Sequence, residues 1–286
     1  MKRKPPGPLE GGGFIQSVRL FDEENIRWDR YPFNIPAVKQ LPEISLQQPI
    51  TIFIGENGTG KSTIIEALAG MLGINHEGGS KNYNFRTTAT HSILWDHIRA
   101  VRNPFAREGF AFFLRAETMY NVFTEREYQH DINAKNELLG NKKFYDEDGN
   151  YFGPDPDVYR RLDKYGSGEM HTKSHGESFF AQISEFRDNG LYVLDEPEAA
   201  LSPHRQLATV KLLHDLAFRR ECQIFMATHS PILLSIPGAK IYQLSGSGIE
   251  EVEFEDTDLV RTYWAFLKNP KAFIDRLFAE ERELPQ

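Results

Sequence analysis

A glycine-rich segment, residues 55–62 with the sequence GENGTGKS, has the residue types and the spacing that cradle nucleotide phosphates. Glycines let backbone amides turn inward around phosphate oxygens, and a helix starting behind them adds partial positive charge. Lys61 is expected to reach the β- and γ-phosphates of ATP and the Ser62 hydroxyl to bind Mg²⁺. The predicted nucleotide-binding residues here are Gly55, Glu56, Asn57, Gly58, Thr59, Gly60, Lys61, Ser62 and Thr63.

Two acids, Asp195 and Glu196, follow an apolar run at Leu191–Leu194. A carboxylate at the carboxyl end of a buried strand lies at the edge where α/β sheets bind ligands. Asp195 is therefore a predicted Mg²⁺ ligand, through water, and Glu196 the predicted general base for an attacking water. Alone, the same acids would equally suit a helix cap, but the glycine loop favours the catalytic interpretation.

A histidine, His229, follows a third apolar run at Gln223–Ala227. A lone histidine after a strand is more often structural. Only the family resemblance described below makes it a candidate catalytic residue, together with Glu196 and Lys61.

The elements that would position these residues alternate between strands and helices. Such alternation predicts an α/β fold with a mainly parallel sheet. The predicted strands are Ile50–Ile54, Phe110–Leu114, Leu191–Leu194, Gln223–Ala227 and one near Lys240–Leu244, with a strand or hairpin in Phe14–Asp29. The predicted helices are Ser62–Leu72, Ser92–Arg102, Glu177–Asp188, Pro203–Arg219 and one or two amphipathic helices in Leu259–Glu283.

Bulk composition is that of an ordinary globular protein, with 40% hydrophobic and 26% charged residues. The net charge of −8 argues against a surface dedicated to nucleic acid, although a local basic patch would be compatible with it. No run of apolar residues is long enough to cross a bilayer, so no direct membrane insertion is expected. A single cysteine, Cys222, fits a reducing cytoplasm.

The order of these motifs resembles that of the ATP-binding cassette (ABC) ATPases over roughly residues 14–250. Ser174-His-Gly-Glu-Ser178 stands where that family has its signature, Ala199–Ser202 looks like its D-loop, and His229 matches its switch histidine. The resemblance implies that Ser174, Gly176 and Glu177 contact ATP held by a second copy in a head-to-tail homodimer. It also implies a P-loop NTPase fold whose core lobe (14–75 and 176–254) carries a helical or irregular insert lobe (76–175).

Three departures separate the chain from transporter ATPases. His175 and Glu177 replace the signature glycine and glutamine, Ser202 replaces the D-loop aspartate, and no glutamine marks a Q-loop. Arg115-Ala-Glu117 stands in its place: Glu117 is a candidate for the metal or water and Arg115 for the phosphates, against an ordinary surface ion pair. In these strings the chain is similar to short bacterial "predicted ATPase" proteins of the AAA family.

The resulting hypothesis is a cytoplasmic, Mg²⁺-dependent ATPase that dimerises on ATP and moves an unknown protein partner. The alternatives are an ATPase linked to DNA or RNA in repair or defence, and the ATP-binding subunit of a membrane transporter. Residues 1–13 are expected to be a disordered tail and residues 255–286 a helical extension. Trp28, Tyr31 and Phe33 are candidates for stacking on adenine, although an aromatic in a core or loop is commoner.

Overall fold

The computed structural model describes residues 12–74, 79–80, 93–115, 180, 182–199 and 201–280. The predicted signature residues and Glu117 lie outside the described residues, as does most of the predicted insert lobe. The division into lobes therefore stays a prediction.

The described strands form two sheets. The smaller is antiparallel, in the order β2–β1–β5, and the larger has the order β10–β9–β3–β8–β7–β6–β4. From β9 to β6 every neighbouring pair in the larger sheet is parallel, and the two edge strands are antiparallel to their neighbours. The strands are β1 (Ile15–Leu20), β2 (Ile44–Ser45), β3 (Ile50–Gly55), β4 (Gly79–Ser80), β5 (Ile98–Arg102), β6 (Phe110–Arg115), β7 (Gly190–Asp195), β8 (Gln223–Ala227), β9 (Lys240–Ser245) and β10 (Gly248–Val252). The predicted α/β fold with a mainly parallel sheet is confirmed.

Helices cover both faces of the larger sheet. They are α1 (Pro36–Lys39), α2 (Lys61–Met71), α3 (Pro203–Arg219), α4 (Pro231–Leu234), α5 (Asp258–Lys268) and α6 (Pro270–Glu280), with 3-10 turns at Glu23–Asn25, Ile93–His97 and Phe254–Asp256. On one face α2 and the smaller sheet form one apolar core; on the other, α3 and α4 form a second. Strand β3 supplies both cores because its side chains alternate: Phe53 joins the first, and Ile52 and Ile54 join the second. The buried sheet thus holds its strand ends rigidly between two packed layers.

A buried glutamine, Gln223, joins the two sheets. Its side-chain oxygen accepts from the Ile15 amide at 2.9 Å, and its amide nitrogen donates to the carbonyls of Ile15 and Leu46 at 2.8 and 2.6 Å. Gly13 leaves room for this side chain, because a Cβ there would lie 2.2 Å from the Gln223 amide nitrogen and would displace it. The first residue of β8 therefore fixes β1 on the larger sheet.

The helix predicted at Ser92–Arg102 is wrong. A 3-10 turn at Ile93–His97 leads directly into β5, which pairs antiparallel with β1. The apolar residues at the start suggested helical spacing, whereas Ile98 and Ala100 face inward with period two and Arg99 and Val101 are exposed or edge-facing. The segment is a strand because it pairs with β1, some 80 residues earlier in the chain. This long-range pairing outweighs the local preference of the residues.

Two further boundaries differ from the predictions. The helix expected to run to Asp188 ends near residue 184, because the Tyr192 hydroxyl binds the backbone of Arg187 and its ring stacks on Phe186 at 3.9 Å. In Phe14–Asp29 only β1 is a strand, and both of its partners come from later in the chain rather than from a local hairpin. One or two amphipathic helices were predicted in Leu259–Glu283, and the structure has two, α5 and α6.

Candidate nucleotide site

The predicted site residues that the structure describes lie together at the carboxyl ends of the parallel strands. Phe53 and Asp195 both pair with Ala227, and Arg115 pairs with Asp195. The loops after β3, β7 and β8 therefore leave the sheet side by side. This is the edge at which open α/β sheets bind ligands.

The loop between β3 and α2 has the backbone that a phosphate cradle requires. Gly55, Gly58 and Gly60 have φ values of 150°, 81° and 102°, a region that side chains rarely adopt. At Gly55 a Cβ would also lie 2.4 Å from the Leu244 carbonyl oxygen, so glycine is required twice over. Helix α2 begins directly after Gly60, and its first amides face the loop.

Lys61 is buried at the start of α2, with 4% of its surface exposed. Its Nζ donates a hydrogen bond to the Glu56 carbonyl at 3.0 Å, across the loop that precedes it. Burial lowers the pKa of Lys61, and the carboxylates of Glu196 and Asp195 oppose that effect. The Lys61 ammonium thus lies inside the loop, where phosphate oxygens could replace the Glu56 carbonyl as its hydrogen-bond acceptor.

Ser62 and Asp195 form the candidate Mg²⁺ site. The serine hydroxyl donates to Asp195 Oδ1 at 3.3 Å, so both oxygens can face one ion. Hydroxyl and carboxylate oxygens suit Mg²⁺, which usually takes few protein ligands. Burial raises the pKa of Asp195 to about 7, while the Arg115 guanidinium works against it. A divalent cation would stabilise this buried carboxylate, so the residues fit the ion.

Glu196 and His229 face each other next to that site. Glu196 has the left-handed φ of 49°, and its amide donates to Ala227 at 3.0 Å, which turns the side chain out of the strand direction. His229 Nε2 lies 3.5 Å from Glu196 Oε1 and has no hydrogen-bond partner within the described part of the chain. Both side chains remain partly exposed. A carboxylate and an imidazole are groups that can accept or donate a proton.

Known proteins resemble the chain as follows. A family model described as an AAA domain matches residues 33–153. A curated protein from Sulfurisphaera tokodaii, provisionally named an ABC transporter ATP-binding protein, is 23% identical over 75% of this chain. The chain spans 41% of the length of that relative.

Those sequence matches confirm the predicted resemblance to ABC-type P-loop ATPases.

Two solved structures are more distant. An inward-facing ABC transporter, provisionally of the metal-chelate type, is 19% identical with a TM-score of 0.44, and 87% of each chain is covered. The SMC head domain from Thermotoga maritima is 16% identical with a TM-score of 0.41, covering 84% of this chain and 99% of that one.

Glu198 holds the histidine segment, a role that was not predicted from the sequence. Its carboxylate accepts from the His229 amide at 2.5 Å and from the Thr228 hydroxyl at 2.7 Å. Burial raises the pKa of Glu198, and these hydrogen bonds oppose the rise. The string Asp-Glu-Pro-Glu at 195–198 contained the signal, since a second acid follows Glu196 at close spacing. Glu198 thus holds the backbone of His229 in place.

A second hydrogen-bond chain supports the same segment. The Ser230 hydroxyl donates to Gln206 at 2.6 Å and caps the amides of Ile232 and Leu233 at the start of α4. Gln206 in turn donates to the Leu201 carbonyl at 2.9 Å. The predicted D-loop region is thereby tied to the histidine segment, while Ser202 itself caps α3.

Arg115 is neither exposed nor part of a surface pair. Its Nη1 lies 2.5 Å from Glu66 Oε1 on α2, and its Nε lies 3.5 Å from Asp195 Oδ2. The guanidinium therefore sits beside the candidate Mg²⁺ site.

The three aromatic candidates for adenine differ in exposure. Phe33 is 2% exposed and packs edge-on against Trp28 and His97, so it belongs to the core. Trp28 is partly buried against the same core. Tyr31 is 57% exposed, and its hydroxyl lies 3.3 Å from Thr63 Oγ1 in the first turn of α2. Of these three, Tyr31 alone is both exposed and in contact with the first turn of the helix that follows the phosphate loop.

The described residues contain no helix long and apolar enough to cross a bilayer. They also contain no cluster of three or more histidines, cysteines or acids able to hold a metal. The Mg²⁺ site outlined above needs no such cluster, because most ligands of Mg²⁺ are waters and phosphates.

Proposed function

We propose that the chain binds ATP with Mg²⁺ and hydrolyses it. The observation that carries the proposal is the convergence of two motifs that are 133 residues apart: Ser62 on the glycine loop and Asp195 at the end of β7 are joined by a 3.3 Å hydrogen bond. The next residue, Glu196, faces His229. The coarser statement, an ABC-type P-loop ATPase, is supported independently by the sequence matches.

Each residue has a separate task in this reaction. Lys61 leaves the Glu56 carbonyl for the β- and γ-phosphates, and the amides of the loop hold the same oxygens. Ser62 and Asp195 would hold Mg²⁺, which neutralises charge on the phosphates when it is bound. Glu196 takes a proton from the attacking water, and His229 Nε2 donates towards the γ-phosphate or the water.

The site needs a second copy of the chain in this proposal. By the resemblance, Ser174, Gly176 and Glu177 of a partner close over the γ-phosphate, and the resulting head-to-tail dimer buries two ATP molecules. Hydrolysis reopens it, and the movement passes to a protein partner. A cytoplasmic location is part of the same proposal.

Glu196→Gln tests the hydrolysis and the dimer together. It removes the base without removing bulk, so ATP affinity is expected to stay within about threefold while turnover falls at least 100-fold. An ATP-dependent dimer should then accumulate, measurable by gel filtration with light scattering. Glu23→Gln, at an exposed acid, is the control. Turnover near the wild-type rate in Glu196→Gln would overturn the assigned base, and a monomer in saturating Mg-ATP would overturn the sandwich.

One alternative is favoured by a specific observation. The curated relative is described as belonging to a transporter, which supports an ATP-binding subunit as the second candidate. Copurification of the tagged protein with one integral membrane protein from washed membranes would favour it. Stimulation of turnover by DNA or RNA, lost at high salt, would instead favour the nucleic-acid-linked ATPase.

A further inference from the structure

The last two helices carry an apolar surface without a cover among the described residues. We call it the C-terminal apolar face. Its side chains are between 36% and 63% exposed, and they lie at helical spacing along α5 and continue along α6. They are Tyr263, Trp264, Phe266, Leu267, Ile274, Leu277 and Phe278.

Only the first turn of α5 is fixed to the body of the protein. Val260 is buried, the Thr257 hydroxyl caps its amide, and Gln243 exchanges two hydrogen bonds with Asp258. From residue 261 to residue 272 every side chain is exposed. The rings of Phe266 and Phe273 are in edge-to-face contact, with 5.8 Å between their centroids, and this contact joins the two helices. Helices of 11 residues are marginal in water without apolar packing, so this pair needs a cover.

The amount of surface matches what an interface between two copies requires. Seven large side chains that are about half exposed present on the order of 600 Å² of apolar area per chain. A stable interface buries roughly 800 Å² from each partner, of which the apolar part is a little over half. Single exposed apolar residues need no explanation, but a continuous face of this size marks an interaction site.

Charge favours a second copy over a membrane or a strongly charged partner. Between Asp258 and Glu280 the two helices carry four basic and three acidic side chains, which nearly cancel. A membrane-surface helix would show an excess of lysine and arginine on its polar face. Near-neutral, mixed charge around an apolar stripe suits packing against an identical element, where acidic and basic rims can pair in both directions.

We propose that the C-terminal apolar face is a dimer interface, on which α5 and α6 of two copies pack as a four-helix arrangement about a twofold axis. The interface needs no nucleotide, so it is distinct from the ATP-dependent sandwich. The dimer keeps the nucleotide half-sites of two copies in one particle, which raises the effective concentration of each half-site for the other. Helix α5 also contacts α4, which begins at Pro231, two residues after His229, so the interface is joined to the candidate nucleotide site.

Light scattering of the full chain in EDTA without nucleotide tests the proposal. The wild type is expected to be a dimer at micromolar concentration, and Trp264→Glu should weaken the dimer at least tenfold. Leu277→Lys, on the other helix, should do the same. Phe105→Glu is the matched control, since Phe105 is 97% exposed on a different part of the protein. Circular dichroism and binding of a fluorescent ATP analogue check that each variant is folded.

Two results would overturn it. One is a wild-type protein that is monomeric under these conditions, whether or not it binds vesicles of neutral or anionic lipid through Trp264. The other is a dimer that both variants leave intact. Lys61→Ala separates this interface from the proposed function: it should abolish the ATP-driven sandwich while leaving the nucleotide-free dimer unchanged.

Discussion

The guanidinium of Arg115 lies 3.5 Å from the carboxylate of Asp195. The same group contacts Glu66 at 2.5 Å, so one cation joins β7 to α2, the strand and the helix that flank the phosphate loop. Asp195 is buried, and its nearest permanent positive partner among the described residues is Arg115. The arginine partly neutralises the acid from the side of the sheet, while Ser62 approaches it from the loop.

Removing that arginine should destabilise the metal-free protein. Arg115→Ala leaves Asp195 and Glu66 without their shared cation, and loss of one partner from a largely buried pair costs about 2–4 kcal/mol. Urea unfolding in EDTA measures the loss. Arg107→Ala, at an exposed arginine, should change stability by less than about 0.5 kcal/mol.

A double variant separates the pair from general damage at this position. Once Asp195→Asn has removed the buried charge, Arg115→Ala should cost clearly less than it does alone. Additive losses would show that the guanidinium does not stabilise Asp195.

Glu198 should make stability depend on pH. Burial raises its folded-state pKa above the ordinary value of 4.5, so the folded chain keeps this proton over a range where the unfolded chain has lost it. The contribution to stability is fully present below 4.5 and is lost as the pH rises through the raised pKa. Unfolding free energies measured across this range should therefore fall less with pH in Glu198→Gln than in the wild type. Glu24→Gln, at an exposed acid, is the control and should keep the wild-type slope.

Lys61→Met should separate nucleotide binding from folding. The substitution keeps most of the buried stem but removes the ammonium, so affinity for ATP should fall at least tenfold. Stability without ATP should hold or rise, because burial of the ammonium costs more than its attraction to the carboxylates of Glu196 and Asp195 returns, and only one hydrogen bond, to Glu56, is lost besides. A fluorescent ATP analogue and thermal unfolding measure the two effects. Lys39→Met, at an exposed lysine, should change neither; unchanged affinity in Lys61→Met would remove the assigned role.

Local patterns in the sequence were sufficient to predict the glycine loop and the strand and helix that flank it. A short β-branched strand, three glycines and a lysine–serine pair specify their own backbone, so Gly55–Thr63 could be located without knowledge of the rest. The strand before Asp195 was equally clear, because a strand buried on both faces is a continuous apolar run.

Long-range contacts decided what the sequence left open. Ile98–Arg102 is a strand because β1 pairs with it, and nothing within those five residues specifies that partner. Glu198 gains its role from a hydrogen bond to residue 229, 31 positions away. Arg115 was a candidate for the phosphates, but the contact with Asp195 depends on the parallel register of two strands. Such relationships appear only when the sheet is assembled.

Gln223 has a consequence for how the chain is made. Its hydrogen bonds to Ile15 span 208 positions, and strand β3 likewise waits for β8 to fill its place in the sheet. At roughly 5–20 residues per second, a ribosome needs about 10–40 s to synthesise that interval. During this time β1 can already pair with β2 and β5, but β3 still lacks both of its neighbours in the sheet, β8 and β9. Strand β3 thus emerges early and takes its place in the sheet late, so chaperones that bind nascent chains should engage it in this interval. Crosslinking of chaperones to ribosome-bound chains stalled before and after residue 227 would measure this.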